Sequence, residues 1–138
     1  MIDLHHNIKV SRALSPVADT GITNTAQVTQ ILDTANYFSN ELVICTGNLE
    51  DADATFTVLL EEGAASNLSD NSSVADADMI GTEALASFTY ASDNTTLRLG
   101  YKGTKRYIRA TITPANNTGN APMAAVWVQA NPRVAPTS

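Results

Sequence analysis

Hydrophobic and polar residues alternate along much of this chain with a period of two, which predicts β-strands rather than helices. The clearest case is the segment 55–60, where Phe56, Val58 and Leu60 fall on one face. Two nearly continuous apolar runs predict central strands that are buried on both faces. These runs span residues 42–45 and 123–129, and further alternating strands are predicted at 8–14, 27–32, 85–90, 96–101 and 105–113.

Turn-forming residues separate these segments and set the fold class. Gly103 lies between the strands predicted at 96–101 and 105–113, and we expect it to supply a positive φ in a tight hairpin loop. Residues 64–78 lack periodicity and predict an irregular loop or one short helix. The pattern indicates an all-β protein, a single antiparallel β-sandwich or jelly-roll-like barrel of about seven to eight short strands with extended terminal arms.

The length and the two ends of the chain define the expected domain organisation. The 138 residues suit a single β-domain over 1–138, with a sandwich core at 8–130 and extended arms at 1–7 and 131–138. The first residues carry no secretory-signal pattern, and no apolar stretch is long enough to cross a bilayer. We therefore expect synthesis in a cytoplasm and no membrane partner.

Acidic and basic residues occupy different parts of the chain. Residues 13–97 contain thirteen acidic residues and no Lys or Arg, whereas residues 98–138 contain six basic residues and no Asp or Glu, in a chain of net charge −6. Segregated charge is typical of a protein that docks onto a partner. The acidic balance disfavours a nucleic-acid partner, because phosphate contacts need a dominant basic face.

The sequence offers little for catalysis or metal binding. The adjacent His5 and His6 would point in opposite directions on an extended chain, so they predict no metal site. The acidic stretches 50–53 and 76–78 could offer oxygen ligands to Ca²⁺, but neither has EF-hand spacing, and solvated turns explain them. Cys45 lies in an apolar run and is expected to be a small buried core residue. We therefore expect no enzyme activity, no cofactor and no metal.

The basic residues of the tail form the most specific signal. Five of the eight basic residues lie between Arg98 and Arg109. On the predicted hairpin they would form a basic ribbon that includes Tyr107. The ribbon is either a solvated face or a docking surface for an acidic partner, because Arg and Tyr are enriched at interface hot spots.

Three segments give the chain a family resemblance. They resemble parts of the small tailed-bacteriophage structural proteins that are encoded beside the major capsid protein. The segments are the opening that runs from Asp3-Leu4-His5-His6-Asn7 to Pro16, the block Leu99-Gly100-Tyr101-Lys102-Gly103-Thr104-Lys105-Arg106-Tyr107-Ile108-Arg109, and the closing Asn131-Pro132-Arg133-Val134-Ala135-Pro136.

This resemblance implies a head decoration, or cement, protein that binds the outer surface of the assembled phage head and stabilises it. The implied partners are the phage major capsid protein and further copies of this chain, with a homotrimer expected by analogy. The implied location is the virion, on the outside of the capsid, after synthesis in the bacterial host cytoplasm. The candidate interface residues are Arg98, Lys102, Lys105, Arg106, Tyr107, Arg109, Asp3, Leu4, His5 and His6.

Two other functions remain open from the sequence. The chain could be a tail-tube, neck or fibre-associated structural subunit, which would favour rings or homotrimers. It could also be a carbohydrate- or calcium-binding β-module that uses its acidic loops.

Overall fold

Antiparallel β-strands form nearly all of the regular structure in the computed structural model, which describes residues 3–17 and 22–134. In chain order these strands are β1 (Ile8–Leu14), β2 (Gln27–Val28), β3 (Leu32–Asp33), β4 (Tyr37–Thr46), β5 (Thr55–Gly63), β6 (Ser72–Ser73), β7 (Met79–Ile80), β8 (Phe88–Thr89), β9 (Thr96–Tyr101), β10 (Tyr107–Ala115) and β11 (Met123–Pro132).

The strands build two sheets that pack face to face, so the predicted β-sandwich is confirmed. The front sheet has the order β1-β11-β4-β9-β7. The back sheet has the order β2-β10-β5-β6, with β3 also paired to β10 and β8 to β5. The described helices are one α-helix, α1 (Glu83–Ala86), and two 3₁₀ turns at Asp76–Asp78 and Tyr90–Ser92. None of these helices is long and apolar enough to cross a membrane.

Alternating residues of both sheets fill the core between them. Phe56, Val58 and Leu60 of β5 are almost fully buried, as the period of two predicts. Trp127 of β11 is the largest of the fully buried side chains in the described part of the chain. Its indole N–H donates a hydrogen bond to the carbonyl of Gln30 at 3.0 Å, which satisfies its one polar group inside the core.

Several predicted strands are confirmed, and two are wrong in part. The strands predicted at 8–14 and 96–101 match β1 and β9 in both bounds. The strand predicted at 27–32 is interrupted, because the Gln30 N–H leaves the back sheet and donates to Ala13 of β1. The strand predicted at 85–90 is wrong over its first residues, where the Thr82 hydroxyl accepts a hydrogen bond from Leu85 N–H and caps α1.

The two apolar runs are buried on one face only, which corrects a second prediction. In β11 the side chains of Trp127 and Gln129 point into the core, whereas Val126 is exposed on the outer face. In β4 Leu42 and Ile44 are buried, and Cys45 is exposed rather than part of the core. Within each apolar run, buried residues that face the core therefore alternate with residues on the outer face, although the sequence shows no polar residues there.

The predicted hairpin at Gly103 is also wrong. Strand β9 lies in the front sheet between β4 and β7, and β10 lies in the back sheet beside β5, so residues 102–106 form a crossover between sheets. The Tyr101 hydroxyl donates to Glu62 Oε2 at 2.6 Å and accepts the Lys105 N–H at 2.9 Å. Gly103 is absent from the described residues with positive φ, but a Cβ there would lie 2.5 Å from the Tyr101 hydroxyl.

Neither terminus is a simple extended arm within the described residues. Asp3 Oδ1 accepts the His6 N–H at 2.7 Å, and the Asn7 N–H donates to the Leu4 carbonyl, so residues 3–7 form a turn. At the other end β11 continues through Pro132, which pairs with Tyr37. The remainder of the predicted arms, residues 1–2 and 135–138, lies outside the described residues.

Gly103→Ala is expected to destabilise the fold, because the new Cβ would meet the Tyr101 ring at 2.5–2.6 Å. Overpacking of this kind costs about 1–3 kcal/mol, which urea denaturation measures as a lower unfolding free energy. Thr104→Ala, at an exposed neighbouring position, is the control and should leave the unfolding free energy unchanged. Equal stability of both variants would contradict the packing of the crossover.

The exposure of Cys45 predicts that its thiol reacts with an aromatic disulfide reagent in the native protein. We expect complete modification without denaturant, at about the rate of the unfolded chain. Absorbance of the released thiol and the intact mass of the protein measure the reaction. Modification only after addition of urea would place the thiol in the core instead.

Candidate docking surface

Parts of the three segments that carry the family resemblance lie together at one end of the sandwich. Ile8, at the start of β1, pairs with Ala130 near the end of β11. The crossover 102–106 lies at this same end, since the Thr34 N–H donates to the Arg106 carbonyl and the Arg133 N–H donates to the Asn36 carbonyl. We call this the crossover end of the molecule.

A groove at the crossover end brings basic residues together. The groove, called here the crossover groove, has a volume of about 460 Å³. Its basic lining residues are Lys102, Lys105, Arg106 and Arg133, and none of the described residues that line it is acidic. Lys102, Lys105 and Arg133 form no ion pair with any residue in the described ranges. Three of the four basic lining residues therefore lack an ion-pair partner among the described residues, whereas Arg106 is paired with Asp33.

Phe38 separates this groove from a second cavity on the front sheet. Its side chain is 66% exposed, and the Arg133 guanidinium lies over its ring at 5.0 Å. The second cavity, the front-face cavity, has a volume of about 430 Å³. The two share four lining residues, Phe38, Asn40, Tyr101 and Lys102.

The front-face cavity is mostly apolar, and two of its lining residues lie close to Gly100. Val43, Ile80, Val128 and Ala130 line the cavity. A Cβ at Gly100 would lie 2.9 Å from the Ile80 Cβ and from Glu41 Oε2, so a larger residue would need both neighbours to move.

Glu41 is the acidic residue among the lining residues of the front-face cavity. Burial raises the pKa of its carboxyl above the usual range, and the charge of Arg98 opposes that shift. The Arg98 Nε lies 3.9 Å from Glu41 Oε1, which is an ion pair without a short hydrogen bond. Arg98 itself projects into solvent, with 81% of its side chain exposed.

The apolar floor continues across the outer face of the front sheet. The pairings Val10–Val128 and Val126–Val43 place β-branched residues side by side over three adjacent strands. Val10 is 54% exposed, and Val126 is exposed beside it. The outer face of the front sheet therefore presents four valines close together, although Arg12, Glu41 and Arg98 lie between them on the same face.

The predicted basic ribbon is broken up by the fold. The Arg106 guanidinium makes a bidentate pair with Asp33, at 3.0 Å from Nε and 2.8 Å from Nη2. Arg109 lies on the outer face of the back sheet and pairs with Glu61 at 2.8 Å, with side chains only 24% and 15% exposed. These two arginines stabilise neighbouring strands, and Arg109 lies outside both cavities.

The other predicted interface residues have separate positions. Tyr107 is half-buried, and the Arg106 guanidinium stacks over its ring at 5.2 Å. Asp3, His5 and His6 belong to the turn before β1, where Asp3 Oδ1 accepts from His6 at 2.9 Å. Hydrogen bonds from His6 lower the pKa of Asp3. Leu4 of the same turn is exposed.

Three residues of the candidate surface are missing from the sequence prediction. Phe38, Ile80 and Arg133 line the two cavities. Ile80 belongs to a two-residue strand and Phe38 precedes the apolar run of β4, so neither stands out in a periodicity analysis. The paired aromatic residues 37–38 are the one signal that could have indicated this position.

The acidic loops are held by backbone amides. Asp51 Oδ2 accepts the N–H and the hydroxyl of Thr118, both at 2.7 Å, and these hydrogen bonds lower its pKa. Asp70 accepts the N–H groups of Ala64 and Ala65, which likewise lower its pKa. Within residues 3–17 and 22–134, no group of three or more His, Cys, Asp or Glu could hold a metal ion.

Comparison of the sequence with family models and with curated proteins gives no match. Among solved structures, the chain is similar to the family 22 carbohydrate-binding and catalytic modules of Clostridium thermocellum endo-1,4-β-D-xylanase 10B in complex with xylohexaose, at 12% identity and a TM-score of 0.47. That match covers 98% of this chain and 28% of the xylanase chain.

Two further solved structures are similar over nearly the whole chain. The C-terminal family 22 carbohydrate-binding module of the same Clostridium thermocellum enzyme is 11% identical, with a TM-score of 0.42, and the match covers 96% of this chain and 100% of the module. A family 15 xylan-binding module is 12% identical, with a TM-score of 0.39 and 96% coverage of both chains. At this level of similarity, nothing about a ligand transfers to this chain.

The pair between Arg106 and Asp33 predicts a specific pH dependence. The hydrogen bond from Arg106 lowers the pKa of Asp33, and burial partly opposes it. The pair therefore stabilises the fold above the unfolded-state pKa of about 3.9, and this contribution is lost as the pH falls through the lower folded-state pKa. Arg106→Gln should return the Asp33 pKa towards its usual value, as followed by NMR of the side-chain carboxyl.

The same titration contains its control. Hydrogen bonds from Thr118 lower the pKa of Asp51, and Arg106 is not among the causes of that shift. Asp51 should therefore titrate in the same way in the unchanged protein and in the Arg106→Gln variant. Because the Arg106 side chain is 57% exposed, the difference in melting temperature should be small and should vanish at low pH. An unchanged Asp33 titration in the variant would contradict the pair.

Proposed function

We propose that this protein is a non-catalytic structural protein of a tailed-phage virion that docks on the outer surface of the assembled head and stabilises it. The observation that carries the proposal is the uncovered apolar face of the front sheet. Val10, Val126 and Ile80 are exposed there on a domain that already has a complete core. An exposed patch of this kind is typical of a surface that binds another protein.

The convergence of the three resembling segments supports the same proposal. The turn before β1, the crossover and the last residues of β11 all lie at the crossover end, next to the apolar face. Segments far apart in the sequence thus contribute to one surface of the folded protein. A surface built this way suits attachment better than catalysis.

Stabilisation of the head would follow from linkage. A protein that binds the expanded lattice and not its precursor shifts the equilibrium towards the expanded lattice by mass action. Each contact can be weak, because many copies on one particle, and any association between copies, add avidity. The net charge of −6 keeps the free protein soluble in spite of the apolar face.

Val10→Asp is expected to weaken binding to empty expanded capsids assembled from the major capsid protein of the same phage. Val10 is 54% exposed on the edge strand of the front sheet, so a carboxylate there costs little stability but must be desolvated in an interface. We expect about tenfold weaker binding or more, measured by co-sedimentation across a range of protein concentrations.

Val28→Asp is the matched control, because Val28 is 49% exposed on an edge strand of the back sheet. This variant should bind capsids like the unchanged protein. Equal loss of binding in both variants would remove the front sheet as the docking face. No binding of the unchanged protein to expanded capsids would overturn the head location, and binding to isolated tails instead would favour the tail-tube, neck or fibre alternative.

A further inference from the structure

The chemistry of the crossover end points to a particular kind of ligand. Lys102, Lys105 and Arg133 line the crossover groove without an ion pair in the described part of the chain. Of the carboxylates at this end, Asp33 is engaged by Arg106 and Glu62 by the Tyr101 hydroxyl. Asp70 interacts with Lys105 through its charge but forms no ion pair with it in the described part of the chain. Positive charge that lacks an internal partner favours an acidic ligand.

The apolar half of the site indicates that the ligand is larger than a simple anion. The crossover groove opens past Phe38 into the front-face cavity, where Ile80 is 59% exposed and Val43 and Val128 form the floor. A ligand that covers both parts must carry carboxylates beside a sizeable apolar group. An acidic polypeptide segment meets both requirements, whereas a free inorganic anion meets only the first.

Phe38 has the features of an anchor for such a segment. Its ring is exposed between the two cavities, and Arg133 stacks on one side of it. Aromatic residues and arginines dominate the energy of protein interfaces, because they offer a large contact area together with directed hydrogen bonds. The stacked guanidinium keeps its N–H groups available for a carboxylate.

We propose that the crossover groove and the front-face cavity form one docking site for an acidic polypeptide segment of the partner protein. Carboxylates of the segment face Lys102, Lys105 and Arg133, and one large apolar side chain packs on Phe38 and Ile80. The identification of that partner as the capsid lattice rests on the proposed function, whereas the binding chemistry belongs to the site itself.

A defined peptide tests the site without capsids. The probe is the blocked peptide Glu-Glu-Leu-Glu-Glu, with a Gln-Gln-Leu-Gln-Gln peptide as the uncharged control, titrated into the isotopically labelled full chain and followed by NMR. We expect chemical-shift changes at the amides of Phe38, Ile80, Lys102 and Lys105 with the acidic peptide and none with the uncharged one. Changes spread over the whole surface, or none, would overturn the site.

Two variants separate the charged part from the apolar part. Lys102→Glu should weaken binding of the acidic peptide by about tenfold. The control is Arg12→Glu, at an exposed position of β1 outside both cavities, and it should have a much smaller effect. Phe38→Ala should abolish the advantage of the leucine peptide over a Glu-Glu-Ala-Glu-Glu peptide. Melting temperatures confirm that the variants fold, and equal effects of the two charge reversals would overturn the proposal.

A short oligothymidylate serves as the competing polyanion. Tighter binding of the oligonucleotide than of the acidic peptide at physiological salt would overturn the assignment to a polypeptide. The capsid assay then separates the two proposals. Loss of capsid binding in Lys102→Glu supports both, whereas peptide binding at the groove without any capsid binding retains the docking site and rejects the head location.

Discussion

The hydroxyl of Tyr101 fixes the part of the structure on which the candidate site depends. It donates to Glu62 in the back sheet and accepts the N–H of Lys105, so one side chain of the front sheet ties both the facing sheet and the crossover. Burial and the hydrogen bond to Glu62 raise the pKa of this hydroxyl, which keeps it protonated as a donor. Gly103 allows the chain to pass against the ring. Backbone hydrogen bonds from Thr34 to Arg106 and from Lys102 to Asp78 hold the two ends of the crossover, and the Tyr101 hydroxyl holds its middle.

The path of the crossover also determines which basic side chains of the tail form ion pairs. It sends β9 and β10 to different sheets, so Arg98 and Arg109 lie on opposite outer faces. Arg106 and Arg109 then meet acidic residues of neighbouring strands and are neutralised in ion pairs. The lysines of the crossover remain unpaired within the described ranges. The basic tail thus divides into Arg106 and Arg109, which stabilise the fold, and Lys102, Lys105 and Arg133, which line the crossover groove.

The sequence predicted the sandwich, and it predicted β1 and β9 in both bounds. Alternation over a whole strand such as 96–101 directly reflects one buried face. The prediction failed where pairing partners decide the outcome. Whether two adjacent strands form a hairpin or cross between sheets depends on long-range contacts such as Tyr101–Glu62, which leave no local pattern. Likewise, an apolar run does not reveal whether its second face is covered, so Cys45 and Val126 were assigned to a buried environment. The candidate site was predicted only in part, since Phe38 and Ile80 gain their role from neighbours distant in sequence.

The end of the sandwich opposite the crossover end, called here the far end, is acidic. Its exposed loops carry Glu50, Asp53 and Asp93 and, because residues 13–97 contain no Lys or Arg, no compensating base from those segments. The crossover end carries both signs, because the unpaired lysines lie there close to Asp33, Glu62, Asp70 and Asp78. An acidic surface repels the far end more strongly than the crossover end, which favours contact through the crossover end. Long-range electrostatics would therefore orient the molecule, and the apolar face around Phe38 would supply the short-range attraction that holds it.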